Sequence, residues 1–85
     1  MSAKDVVKEI MTLKKLSQSK LAELAGFKSQ SNVTGILNRG SSMRVDNLEQ
    51  MLSAMGYKIM VVPKDTPVPE DGYKVENEKE REDLS

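Results

Sequence analysis

Eighty-five residues allow one domain, and a core of that size buries only a modest share of the surface its unfolded chain exposes. Cysteine and histidine are both absent, which excludes disulfides and Cys/His zinc sites. The net charge of zero hides two unequal parts: residues 1–63 carry nine Lys/Arg against five Asp/Glu, a net of +4, and residues 64–85 carry four against eight, a net of −4. A basic body with an acidic tail fits a polyanion-binding domain whose tail is solvated or binds a partner. No apolar run approaches the about 20 residues that span a bilayer, and the N-terminus has no apolar signal segment. The expectation is a soluble cytoplasmic protein.

Ser2 stands three residues before Asp5, the spacing of a reciprocal N-terminal cap, and Val6, Val7, Ile10 and Met11 follow at helical spacing. They predict a helix over 3–14. Ser17 is the next cap. Leu21, Ala22, Leu24 and Ala25 lead to Gly26, where a left-handed residue would end a short helix over 17–25. Phe27, the one phenylalanine, is expected to plug the core behind that turn. Ser29 caps a third helix over 30–38, with Val33, Ile36 and Leu37 inward and Gly40 as its stop. Gly35 inside this helix costs about 1 kcal/mol relative to alanine. Such a glycine is structural if a neighbouring helix packs close, and functional if DNA must approach the backbone.

Asp46 and Glu49 have capping-box spacing and predict a fourth helix over 47–55, with Leu48, Met51, Leu52 and Met55 inward and Gly56 at its end. The methionines there read as core filler. The period then changes: Tyr57-Lys58-Ile59-Met60-Val61-Val62 is β-branched and aromatic and stops at Pro63, which predicts a strand. Residues 64–72 are rich in proline and turn formers, and 73–85 in charge, so 64–85 is expected to be extended or disordered, with a short helix from Asn77 left open. The domain reading is a 1–63 body with a 64–85 tail.

Two short helices joined by a tight glycine turn, the second opening with small polar residues, suit the DNA major groove. The first braces the second, whose N-terminal side chains meet base edges, and whose partial positive charge favours nearby phosphates. The stretch 16–40 carries L-S-Q-x-x-L-A-x-x-A-G, then S-Q-S-x-V, then L-N-R-G. It resembles the helix-turn-helix domains of lambda-type repressors and Cro proteins, the XRE family, over about residues 3–56. It differs by one extra residue between Gly26 and Gln30 and another near Arg39. The resemblance implies a mainly α, four- to five-helix lambda repressor-like domain that binds double-stranded DNA. Gln18 then matches the glutamine that touches phosphate and steadies the reading helix, and Gln30, Ser31 and Asn32 match the base readers. Thr34 shares the face of Gln30 one turn on, where it meets a thymine methyl or a phosphate. Asn38, Arg39, Ser41 and Arg44 match the loop that contacts the DNA backbone. Lys28 is a phosphate candidate at the start of the helix, and Ser29 is chiefly its cap.

A lone strand needs cover. The simplest is the same strand of a second copy across a two-fold axis, with Tyr57, Ile59 and Val61 on the face expected to form the dimer core and Lys58, Met60 and Val62 on the other. The alternative is a hairpin with part of 66–75. The leading function is therefore a dimeric, sequence-specific transcriptional regulator, an autoregulatory repressor on a palindromic operator. The alternative is an antitoxin whose tail, residues 64–85, neutralises a partner toxin. An enzyme is not expected: there is no histidine or cysteine, no phosphate-cradling glycine loop and no carboxylate pair in an apolar frame. No cofactor or metal is expected either.

Overall fold

The computed structural model describes residues 1–38 and 43–76. Four helices in chain order make up its regular structure: α1 (Ala3–Lys14), α2 (Gln18–Ala25), α3 (Gln30–Asn38) and α4 (Val45–Ala54). Helix α1 starts where the cap predicts. The Asp5 N–H donates to Ser2 Oγ at 3.2 Å and the Ser2 N–H donates to Asp5 Oδ2 at 3.4 Å. Its end has no glycine to mark it. Lys15 takes a left-handed conformation at φ 57° and sends its N–H back to the carbonyls of Met11 and Thr12. A non-glycine residue rarely does this, but a cation at a helix C-terminus is electrostatically favoured.

Helix α2 begins one residue after the expected 17, because Ser17 is the cap itself: its Oγ accepts from the Lys20 N–H at 3.1 Å. Gly26 ends it at φ 82°, a conformation open to glycine at no steric cost. The Phe27 N–H then reaches the Ala22 carbonyl at 2.9 Å, turning the half-buried Phe27 ring onto the core. Helix α3 matches its predicted span. The expected stop at Gly40, the residues Arg39 and Ser41, and the option of a helix from Asn77 lie outside the described residues.

Helix α4 corrects the sequence reading. It starts at Val45 rather than 47, its N-cap is Arg44 with no side-chain cap bond, and Asp46 lies inside the first turn. Asp46 Oδ1 accepts from the adjacent Asn47 N–H at 3.0 Å, so the Asp46/Glu49 spacing does not mark the boundary. An acid in the first turn still favours the helix through the N-terminal partial charge.

One apolar core joins the four helices. Val6, Val7, Ile10 and Met11 of α1, Leu21 and Ala22 of α2, Val33, Ile36 and Leu37 of α3, and Leu48, Met51 and Leu52 of α4 are buried together, with Met55 just beyond. Each large apolar side chain so buried is worth about 1.5–3 kcal/mol before chain entropy is set against it. No buried polar side chain interrupts the core among the described residues.

The predicted strand is not seen: residues 57–62 belong to no strand, and no strand occurs among the described residues. A strand is defined by its hydrogen-bonded neighbour, and none of the described residues beyond 62 pairs with it. Turns at 63–66 and 69–72, closed by Thr66 N–H to Pro63 O (3.0 Å) and Gly72 N–H to Pro69 O (2.9 Å), reverse the chain instead. This brings Tyr73 against Tyr57, ring centroids 6.2 Å apart at 58°. Lys14 Nζ lies over the Tyr57 ring, 5.9 Å from its centroid. Desolvation, followed by Tyr57, Glu9 and Asp71 nearby, raises the Tyr73 phenol above the ordinary tyrosine value. The Glu76 N–H donates to the Met1 carbonyl at 2.7 Å. The tail to residue 76 has no helix or strand and lies back along the body.

Candidate nucleic-acid interface

The reading unit is built from α2, the Gly26 turn and α3. Three inward residues of α3, Val33, Ile36 and Leu37, fix its rotation, which leaves Gln30, Ser31, Asn32, Gly35 and Asn38 exposed. Helix α2 packs chiefly against α3 and α4. Gln50 of α4 steadies the turn by donating its Nε2 to the Ala25 carbonyl at 2.6 Å.

A cross-helix bond links α2 to α3: the Thr34 hydroxyl donates to Gln18 Oε1. Gln18 therefore spends its acceptor inside the protein and keeps its Nε2 donors, the half of the amide that suits a phosphate oxygen. Thr34, half-buried, spends its hydroxyl proton there and keeps that oxygen only as an acceptor. Thr34→Val should keep the shape and remove this bond. A loss of about 1 kcal/mol in stability, read from the urea midpoint, is the expected result; an unmoved midpoint would mean the bond does no work in solution.

The N-terminus of α3 holds a second network. The Ser29 N–H and Oγ both donate to Asn32 Oδ1, at 3.2 and 3.1 Å, and the Ser31 and Ser29 hydroxyls lie 2.7 Å apart. The bonds are consistent when Ser31 donates to Ser29 and Ser29 to Asn32. An N–H must meet an acceptor, so Oδ1 faces the cap and the Asn32 amide shows only donors outward. Bidentate reading of adenine needs a free acceptor and a free donor on one amide. Among Gln30, Ser31 and Asn32, only Gln30 keeps both. Sequence reasoning placed these three together on one exposed turn but missed their internal bonds. The signal was there: a serine with a hydrogen-bonding side chain three residues on.

Around this turn, Lys28 and Ser29 are exposed before α3 and Asn38 at its end. Arg44 lies exposed at the start of α4, with its Nη2 3.4 Å from Asp46 Oδ2. An exposed pair of this kind holds by about 0–1 kcal/mol, so a phosphate can draw Arg44 away cheaply. The structure thus ties Gln18 to Thr34 across the two helices and, separately, Ser29 to Ser31 and Asn32 at the start of α3, and does not describe Arg39 or Ser41.

A helix-turn-helix family profile (HTH_3) matches residues 7–61, from the first core turn of α1 through α4 and on to Val61. The chain belongs to the helix-turn-helix family of the XRE and lambda-repressor type. Membership of this helix-turn-helix family makes it a DNA-binding regulator by class, and the family is generally non-enzymatic. No curated protein and no solved structure matches the chain in the corresponding searches. No described helix of this helix-turn-helix protein is long and apolar enough to cross a membrane.

Proposed function

We propose that this chain represses its own small operon, as a dimer bound to a palindromic operator, with residues 1–63 as the DNA-binding unit and 64–85 as its acidic tail. The observation that carries the reading is the polar opening of α3, held outward by a buried apolar face and tied to α2 through Gln18 and Thr34. Gln30 reads a base edge with both amide atoms. Ser31 and Asn32 add shorter contacts, Asn32 as donor only, toward guanine N7/O6 or thymine O4. Gln18, Lys28, Asn38, Arg39, Ser41 and Arg44 meet phosphates, which fix register without reading sequence. Ser29 organises the turn. Bound protein blocks the promoter, and no bond is made or broken.

The dimer supplies what a single reading helix lacks, a second half-site about 34–36 Å away. Support comes from Ile59, Met60, Val61 and Val62, which are exposed on an extended segment with no strand partner among the described residues. The regulator reading stands ahead of the antitoxin one because the described part of the tail, 64–76, folds back onto Tyr57 and Met1 instead of standing clear of the body.

Gel shifts on duplex DNA from upstream of the protein's own gene, across a salt series, test the proposal. Wild-type protein is expected to prefer that duplex over mixed sequence. Gln30→Ala should lose about 1–3 kcal/mol of that preference with the salt slope unchanged, since no phosphate charge is removed. Absence of salt-dependent binding to any duplex would end the proposal.

A further inference from the structure

Gly35 has no reason to be glycine within the described structure. Its φ is not positive, unlike those of Gly26 and Gly56, so backbone conformation does not require it. A Cβ built there would have no atom within 4 Å, so close packing of another described element does not require it either. It lies in the interior of α3, where alanine is the better helix former. The position is opposite the buried Val33, Ile36 and Leu37, and its neighbours on the outer face, Ser31 one turn before and Asn38 one turn after, are exposed and polar.

We propose that Gly35 is where α3 lies closest to DNA, and that the missing side chain makes room for the edge of a base pair in the major groove. This rests on the regulator reading above and adds a specificity determinant to it. Gln30 and Ser31 then reach their bases because the helix sits deeper than any side chain at 35 would allow. A nucleic-acid occupant fits better than a second protein helix, since the surrounding side chains (Ser31, Asn32, Asn38) offer hydrogen bonds. None of the exposed large apolar residues lies on α3, and their longest run is 59–62.

Gly35→Ala and Gly35→Gln test this on two probes: a duplex selected by the wild-type protein from a random-sequence pool, and a mixed-sequence duplex of equal length. Gly35→Ala is expected to melt about 4 °C or more above wild type. The same variant should bind the selected duplex at least about tenfold more weakly, and Gly35→Gln more weakly still. Binding to the mixed-sequence duplex, which rests on phosphates, should change less than about twofold. Undiminished affinity of both variants for the selected duplex overturns the assignment. So does a drop in melting temperature for Gly35→Ala, or a change in association state in its place, because either gives the glycine a role within the protein. If the wild-type protein selects no duplex at all, the regulator reading fails first, and the wild-type arm tells that failure apart from a failure at Gly35.

Discussion

Leu21→Ala should leave the domain largely unfolded near body temperature. Leu21 is 0% exposed at the centre of α2, the short helix on which α3 and α4 both pack. Leucine-to-alanine changes at such sites cost about 2–5 kcal/mol, from lost transfer energy and the cavity left behind. A domain of this size holds only about 0.05–0.15 kcal/mol per residue in reserve, so one truncation consumes much of it. The melting midpoint should fall by about 10 °C or more, at about 4–8 °C per kcal/mol for a small domain. Leu24 provides the control on the same helix. It is 48% exposed, and Leu24→Ala should move the midpoint by only a few degrees. Equal effects from the two would mean that α2 does not present Leu21 to the core. DNA binding should fall with Leu21→Ala as well, because Gln18 and Thr34 keep their relation only while α2 and α3 stay packed.

The spans of α1 and α3 were legible from periodicity, but the contrast between Leu21 and Leu24 was not, because both belong to the apolar run that leads to Gly26 and only the packing of α2 separates them. Local signals produced them: Ser2 with Asp5, Ser17, Gly26, and apolar residues at three- and four-residue spacing. Where local signals compete, the reading slipped. Asp46 and Glu49 have the spacing of a cap, yet Asp46 bonds its own neighbour and the helix already runs from Val45. Lys15 ends α1 in a conformation usually given to glycine, and nothing in its identity announces that. The family match was foreshadowed by the L-S-Q…A-G and S-Q-S-x-V pattern. The way Asn32 and Thr34 commit their polar atoms was not, because it depends on side-chain bonds that only the folded turn and the α2–α3 packing define. The predicted strand shows the same limit at longer range: residue type favours extension at 57–62, but pairing depends on a neighbour that these residues do not specify.

Tyr57 illustrates what the fold changed. Alternation along 57–62 groups it with Ile59 and Val61 on one face of a dimer strand. In the structure it is half-buried against Tyr73 and beneath Lys14, so it serves its own chain. What remains for a second copy is Ile59 at 40% exposed, Met60, Val61 and Val62. These residues border an apolar groove that also includes Val45, Val68 and Val75.

Val61→Asp is the substitution expected to separate folding from assembly most sharply. Val61 is 97% exposed, so aspartate there should leave the melting midpoint of an isolated subunit within a degree or two, and any effect must come through a partner. If 57–62 pairs with its copy across a two-fold axis, each subunit places one aspartate in the shared ribbon. A charge then enters partly desolvated surroundings on each strand, which strand pairing opposes. Sedimentation should show monomer at concentrations where wild type is dimeric. Affinity for a palindromic duplex should fall by about 10²–10⁴, the advantage that linking two half-site contacts confers, while affinity for a single half-site stays near its wild-type value. Val61→Thr, which keeps the β-branched shape preferred in strands, should remain dimeric. A dimer that persists in Val61→Asp would move the interface away from 57–62. A wild-type protein that sediments as a monomer yet binds the palindrome with full affinity would remove the need for one in solution, leaving the DNA to bring the two copies together.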